Sequence, residues 1–280
     1  MPVRKPAVSG QFYPSAPAAL SALIDECYTH RLGPGILPPA PASDAGIVAV
    51  VSPHAGYVYS GPVAAHSYYH VSSLRSPDLA VLVGPNHYGI GGGVSTYEGE
   101  WVTPLGRMRV DGGAAAELVE LAGATVDPEA HRLEHSIEVQ LPFLQKLYGD
   151  SVPFLPVSLL FQDQDTAEAV ASALARILRG RRAVLVASSD LTHYEPPAVA
   201  KEKDMALLGE VLKMDLPAFY SVLERLGVTA CGYGAIATVM LAARSLGLTR
   251  PELLAYATSG DTSGDNVQVV GYGALRFVSS

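Results

Sequence analysis

The sequence predicts an α/β fold: a single domain with a largely parallel central sheet flanked by helices. Three observations lead there. Short apolar runs rich in β-branched residues, at Gly46–Val51, Leu79–Val83, Phe154–Phe161 and Arg182–Ala187, have the continuous hydrophobicity of strands buried on both faces. Stretches of helical period separate them, the alternation that βα units produce. The chain has 280 residues, 49% hydrophobic and 16% charged, which suits one large core and excludes disorder. With no tandem repeat or low-complexity segment, residues 1–280 read as one domain.

Each element has a local reason. Val8–Pro14 forms an ordered arm, because Phe12 and Tyr13 want burial. Ser15 can cap a helix that has Pro17 early in it and Leu20, Leu23, Ile24 and Cys27 as its apolar stripe. Gly33–Ser43 is rich in Pro and Gly and reads as a surface loop. The strand at Gly46–Val51 ends in Ser52-Pro53-His54-Ala55-Gly56-Tyr57, and Ser60-Gly61-Pro62 then starts a helix. The strand at Leu79–Val83 ends in Gly84-Pro85-Asn86-His87-Tyr88-Gly89 and a glycine-rich loop. Val94–Tyr97 and Trp101–Val110 suggest a hairpin or edge strands.

Helices follow at Gly113–Leu121 and Glu134–Tyr148, the second kinked at Pro142. Beyond the strand at Phe154–Phe161 come a helix at Thr166–Leu178 and the strand at Arg182–Ala187. That strand ends in Ser188-Ser189-Asp190-Leu191-Thr192-His193-Tyr194. Two helices cover Ala198–Leu226, and Cys231-Gly232-Tyr233-Gly234 opens another that ends near Gly247. Leu253–Thr258 is a strand ending in Ser259-Gly260-Asp261, and Val267–Phe277 closes the sheet.

The net charge of -8 argues against nucleic acid, which needs a basic face. No apolar run reaches the length of a membrane span, and Met1–Lys5 lacks the apolar core of a signal peptide. The 2 cysteines, Cys27 and Cys231, make no disulfide framework. The expectation is a cytoplasmic protein that binds neither membrane nor nucleic acid. Gly232–Ala237 fits a dinucleotide pattern only superficially, lacking a preceding strand and a suitably placed acid, so no nucleotide cofactor is expected. Gly-x-Ser-x-Gly, a phosphate-binding loop and Cys-x-x-Cys are all missing.

The chemistry-bearing residues sit where the strands stop. His54, His87 and the Asp190/His193 pair all follow the carboxyl ends of strands, the place where open α/β sheets hold their ligands. Neutral imidazole and carboxylate suit iron, zinc or copper. Cys231 precedes a helix, whose N-terminus is expected to lower the thiol pKa, making it a thiolate ligand or a nucleophile. Cys27 falls in an apolar stripe and reads as a small buried hydrophobe. His135, placed in the first turn of its helix beside Glu134 and Glu138, is either a substrate donor or proton carrier, or a surface histidine. His66 and His70 are spaced like a zinc pair, but Tyr68 and Tyr69 around them point to packing. His30 and His131 read as surface residues.

The combination of motifs resembles a known family. Ser52–Tyr57, Gly84–His87, Glu134–Glu138, Ser188–Tyr194, Cys231-Gly232 and Ser259–Thr262 are similar to the Memo family, whose prokaryotic members are called AmmeMemoRadiSam system protein B. The likeness runs from Pro6 to Gly273. It implies a fold like the class III extradiol (LigB-like) non-haem iron dioxygenases and a metal site in the place of theirs. It also implies His54, His87 and Cys231 as metal ligands, for iron or copper with zinc as a further option. His193, Asp190 and His135 become the catalytic residues around the metal. Radical SAM and companion system proteins are the partners the system name implies. Animal members imply metal-dependent redox activity and recognition of phosphotyrosine peptides.

Two functions follow as expectations. One is a metal-dependent redox protein or oxygenase acting on an unidentified small molecule. The alternative is a non-catalytic peptide- or ligand-binding module that reuses the cleft. A third reading, a Cys231 hydrolase with His193 as base, requires those two side chains within hydrogen-bond reach.

Overall fold

The structure is a computed structural model that describes residues 2–40 and 46–279. In chain order the elements are β1 (Val3–Arg4), α1 (Pro17–Thr29), β2 (Ile47–Ser52), α2 (Tyr57–Val71) and β3 (Leu79–Pro85). Next come β4 (Val94–Thr96), β5 (Glu100–Thr103), β6 (Gly106–Arg109), α3 (Gly112–Ala122), β7 (Thr125–Val126) and α4 (Pro128–Arg132). A single 3-10 turn, Glu138–Gln140, leads into α5 (Leu141–Tyr148), β8 (Phe154–Leu159), α6 (Gln164–Ile177) and β9 (Ala183–Ser188). The chain finishes with β10 (His193–Glu195), α7 (Pro197–Lys213), α8 (Leu216–Leu226), α9 (Tyr233–Ser245), β11 (Arg250–Thr258), α10 (Ser259–Ser263) and β12 (Val269–Val278).

The main sheet runs in the order β10-β12-β2-β9-β3-β8-β4-β7, with β11 also paired to β12. Its centre, β2-β9-β3-β8, is parallel. Antiparallel partners, β12 beside β2 and β4 beside β8, extend both flanks, so the sheet as a whole is mixed. All six residues of β9 are buried, which requires cover on both faces. One helical layer groups α1, α2 and α5; the other groups α3, α6 and α9, with α9 lying on β2, β3 and β9. The predicted Val94–Tyr97/Trp101–Val110 hairpin divides. β4 joins the main sheet, while β5 and β6 form a small sheet with β1.

Several boundaries differ from the sequence expectation. Helix α2 begins at Tyr57, before Ser60, and Pro62 lies inside it; the Ser60 hydroxyl donates to the Ala55 carbonyl instead of capping. Ala16, without a side-chain cap, takes the position expected of Ser15, though Pro17 does open α1. No helix starts at Glu134. That side chain captures the backbone N–H groups of His135 and Ser136, which diverts the chain from helix, and Pro142 falls in the first turn of the shorter α5 rather than at a kink. The loop predicted at Gly33–Ser43 is irregular through Ala40; residues 41–43 lie outside the described ones. Among the described residues no helix is long and apolar enough to cross a membrane.

Candidate metal centre

Because β2, β9 and β3 are neighbours, their carboxyl ends bring His54, Asp190 and His87 together. The resulting cleft, about 490 Å³, is lined by these three with Phe12, His135, His193, Tyr194 and Cys231 among others. Cys231 arrives from the loop before α9. That loop packs so tightly against the end of β9 that a Cβ on Gly232 would lie 2.4 Å from the Ser188 carbonyl oxygen, so only glycine fits.

The hydrogen bonds fix which ring nitrogens face the cleft. His54 Nδ1 lies 2.9 Å from Ser188 Oγ. That hydroxyl already donates to the Ser136 carbonyl at 2.6 Å and accepts from Gln140 Nε2 at 2.8 Å. Its proton is spent, so His54 Nδ1–H is the donor and Nε2 carries the free lone pair. His54 is buried, and burial, then the neighbouring His135 and His87, keep its pKa well below the ordinary value. It is therefore the neutral imidazole a metal requires.

His87 is held by Glu134 through both its main chain, at 2.6 Å, and its ring Nδ1, at 2.9 Å. A carboxylate accepts only, so His87 Nδ1 donates and Nε2 is free. This is the carboxylate–histidine arrangement that orients and strengthens metal-binding imidazoles. Burial pulls the His87 pKa down, but the Glu134 carboxylate outweighs it and holds the ring above its ordinary value. Burial pushes Glu134 up, and its bond to His87, the charges of His87 and His135 and the Ser136 amide more than reverse that, leaving it ionised. His135 stacks on His87 with ring centroids 4.7 Å apart and touches Phe12 at the same distance. Burial first, with the charge of His87 adding, lowers its pKa to about 4.

On the other side, Asp190 Oδ1 accepts the His54 backbone N–H at 2.7 Å, and burial, opposed by that bond, raises its pKa. Cys231 Sγ sits 3.1 Å from His54 Nε2 and 3.3 Å from the Asp190 N–H. Burial, with repulsion from Asp190, drives the thiol pKa well above its ordinary value. The lowered pKa expected from the helix N-terminus is thus corrected: α9 starts two residues later, and desolvation dominates. His193 Nδ1 meets two carbonyls, Leu191 at 2.7 Å and Thr229 at 3.0 Å, so it donates there and leaves Nε2 free on the cleft wall. The imidazole beside Cys231 is that of His54, not His193, which takes away the geometry the hydrolase reading needs.

Two groups of ligand atoms form, each with its members within 4.8 Å of one another: His54/His87/His135 and His54/Asp190/Cys231. The trio implied by the resemblance, His54, His87 and Cys231, spans both groups, with His54 common to them. His135 lies in the first, and Asp190, assigned a proton-handling role, in the second. His193 belongs to neither group among the described residues.

Other histidines fall elsewhere. His131 is fully buried against Tyr97 and Trp101, not on the surface as expected, because the β1–β5–β6 sheet covers it. His30 is half-buried. His66 bonds the Leu32 carbonyl and His70 faces Arg276, in keeping with packing. Sequence reasoning did not assign Glu134, Ser188 or Gln140, although they set the ring tautomers. The available signal was a pair of glutamates, Glu134 and Glu138, in a segment otherwise apolar enough to be buried.

The class defined is an α/β protein with a histidine, carboxylate and thiol cluster at the carboxyl ends of its central parallel strands. The Memo-like protein family profile matches residues 4–276, and the chain belongs to the Memo family. A MEMO1 family protein of Nitrosopumilus maritimus is 46% identical over 278 residues, covering 99% of this chain and 100% of the relative. Another from Methanopyrus kandleri is 45% identical and covers 98% of each chain. Among solved structures, an uncharacterized protein from Escherichia coli K12 aligns with a TM-score of 0.59 at 15% identity, covering 82% of this chain and 99% of its own. That likeness is one of fold.

Proposed function

We propose that the chain is a mononuclear metal protein acting on a small molecule in redox or oxygenase chemistry, with iron or copper as the resident ion. The observation that carries this reading is the shared His54. Its Nδ1 is committed to Ser188, so the one lone pair left for an ion is that of Nε2, now beside the Cys231 thiol, and one lone pair serves one ion. The two ligand groups are then alternatives, or two sides of one coordination sphere, rather than a two-metal centre. His54 and His87 offer pre-oriented Nε2 donors, His135 a third nitrogen, and Asp190 and Cys231 an oxygen and a sulfur. Nitrogen and oxygen suit iron, and the thiol adds affinity for softer copper or zinc.

Bound iron or copper would supply electron transfer and polarisation of a coordinated group. The chain's own residues do the rest. His193 presents Nε2 as a proton acceptor, its ring fixed by the Leu191 and Thr229 carbonyls. Asp190 holds the His54 backbone and, with its raised pKa, can retain a proton nearer neutrality than a solvated aspartate. Phe12 closes one wall against His135 and keeps water from that ring. Among the described residues no lysine or arginine lines the cleft.

A second reading, a ligand-binding module, draws on Tyr194, which stands at the cleft mouth 70% exposed with φ of 59°. A strained, exposed aromatic at a cleft is a feature ligand clamps share. Metal analysis of protein purified without chelator, with Co(II) titration of the stripped form, tests the first reading. One equivalent of iron or copper and one of Co(II) is expected; zinc alone would remove the redox assignment. Binding of two equivalents, or of none, sinks it.

A further inference from the structure

Resting on the metal-centre reading above, we propose that Arg4 is a positioning residue for it. The N-terminal strap, residues 3–13, clamps the segment 131–138 and through Glu134 sets where His87 and His135 stand.

The segment from Leu133 to Ile137 has no helix or strand of its own. Its polar main-chain groups need partners from outside. Arg4 supplies them. Its Nε donates to the His131 carbonyl at 2.5 Å and its Nη2 to the Glu134 carbonyl at 2.6 Å, while Nη1 pairs with Glu138 at 2.8 Å. The guanidinium lies 4.0 Å above the Trp101 ring, a second restraint on its plane. Arg4 is placed there by β1, which pairs with β5 so that Arg4 faces Trp101 in register.

Glu138 ties the rest of the strap to the same segment. It accepts the Ala7 and Val8 backbone N–H groups at 2.7 and 3.1 Å and the Tyr13 hydroxyl at 2.5 Å. Both Arg4 and Glu138 are buried. A buried ion pair is weak evidence for stability, because desolvation offsets the attraction; its best-attested use is to fix register. Here the register matters at one residue. Glu134, with its carbonyl pinned by Arg4, points its carboxylate at the His87 ring, the His87 backbone and the His135 backbone. The strap's other end brings Phe12 against the His135 ring. A planar fork reaching three acceptors is a task lysine cannot perform.

The test compares wild type, Arg4→Lys, Tyr13→Phe and, as a control, Leu118→Ala. Leu118 is buried on α3, which packs on α6. Two readouts are taken: exchange of the His87 Nδ1–H proton with water, by nitrogen NMR on metal-free protein, and Co(II) affinity. Arg4→Lys is expected to speed exchange and weaken Co(II) binding by about fivefold or more, somewhat less than the about 10–100-fold typical of residues that bond a ligand directly, because Arg4 acts through Glu134. Tyr13→Phe keeps the ion pair, folds where Arg4→Lys does not, and should show at least about a twofold change in the same direction. Leu118→Ala, at equal or greater loss of thermal stability, should change neither readout.

Unchanged exchange in Tyr13→Phe and in any folded Arg4→Lys overturns the strap. So does an equal change in Leu118→Ala, which would reduce the effect to global loosening. Wild type that binds no Co(II) overturns the functional reading alone, and the metal-free NMR arm still decides the strap.

Discussion

The two walls of the cleft are built differently. On the nitrogen side, His54 and His87 are oriented by the side chains of Ser188, Gln140 and the buried Glu134, and the His135 ring packs against His87 and Phe12. On the sulfur and oxygen side, Asp190, Cys231 and His193 are oriented by main chain. The Cys231 N–H meets the Asp190 carbonyl, the Leu191 N–H meets Gly271, and His193 Nδ1 meets two carbonyls. Side chains assist there: buried Asp204 accepts the Thr192 N–H, Thr229 Oγ1 accepts the His193 N–H, and Gln162 Nε2 donates to the Cys231 carbonyl, but none of them is an ionised group behind a donor ring. Side-chain bracing tunes donor strength, because an ionised carboxylate behind an imidazole makes it a better ligand. Main-chain bracing fixes position but leaves donor chemistry to the residue type. The nitrogen wall should therefore govern how tightly an ion is held, and the thiol wall which ion is preferred.

The largest effect is expected at the residue the walls share. His54→Ala removes a member of both ligand groups and should weaken Zn(II) binding by at least about a thousandfold, measured by calorimetry, because structural metal sites draw ~10 kcal/mol or more from a few ligands. Retention of near wild-type affinity would mean that the ion sits elsewhere. Glu134→Gln should cost about 10–100-fold in affinity for any of these ions, by loss of the charge behind His87. A loss under about threefold would remove the asymmetry between the walls.

Cys231→Ser is expected to act selectively: about tenfold weaker binding of Cu(I), a smaller change for Fe(II), and loss of the near-ultraviolet sulfur-to-metal band of the Co(II) form. Equal loss for both ions, with the band absent in wild type as well, would show that the thiol does not choose the ion.

The smallest expected effect lies outside both walls. His131 and His70 are held neutral, their pKa values lowered to about 3 and about 4, chiefly by burial with Arg4 and Arg276 respectively adding. Their folded values lie below the ordinary 6.5, so the unfolded chain binds more protons. Their contribution is present above 6.5 and is lost as pH falls toward the folded values. Between pH 7 and 6 each should cost ~0.7 kcal/mol, partly offset by Asp190 with its raised pKa. Urea unfolding at the two pH values checks this, and a midpoint that does not move would contradict neutral burial. The same titration, repeated with metal bound, separates general acid sensitivity from that of the cleft.

Much of this could be read from the chain alone. Apolar runs ending abruptly in polar loops placed β2, β3, β8 and β9 and put His54, His87 and Asp190 at their carboxyl ends, because a strand buried on both faces has to be continuously hydrophobic. That is a local property, and sequence carries local properties well. The helix expected at Glu134 failed for a non-local reason. Its periodicity was helical, but the Glu134 carboxylate found His87, 47 positions away, and took the His135 and Ser136 amides with it. The Cys231 thiol pKa failed similarly, since desolvation depends on everything packed around the sulfur and not on the helix that follows it.

By itself the sequence determined the fold class, the family and the set of residues that converge. The period of hydrophobicity and the identity of strand-end residues are written along the chain. The tertiary structure alone decided how those residues are used: which ring nitrogen of His54, His87 and His193 is free, that the ligand atoms divide into two groups around His54, and that a strap from residue 4 braces the segment behind them. Hydrogen bonds between residues more than a hundred positions apart, such as Arg4 to Glu138, follow no sequence period, so only the folded chain reveals them.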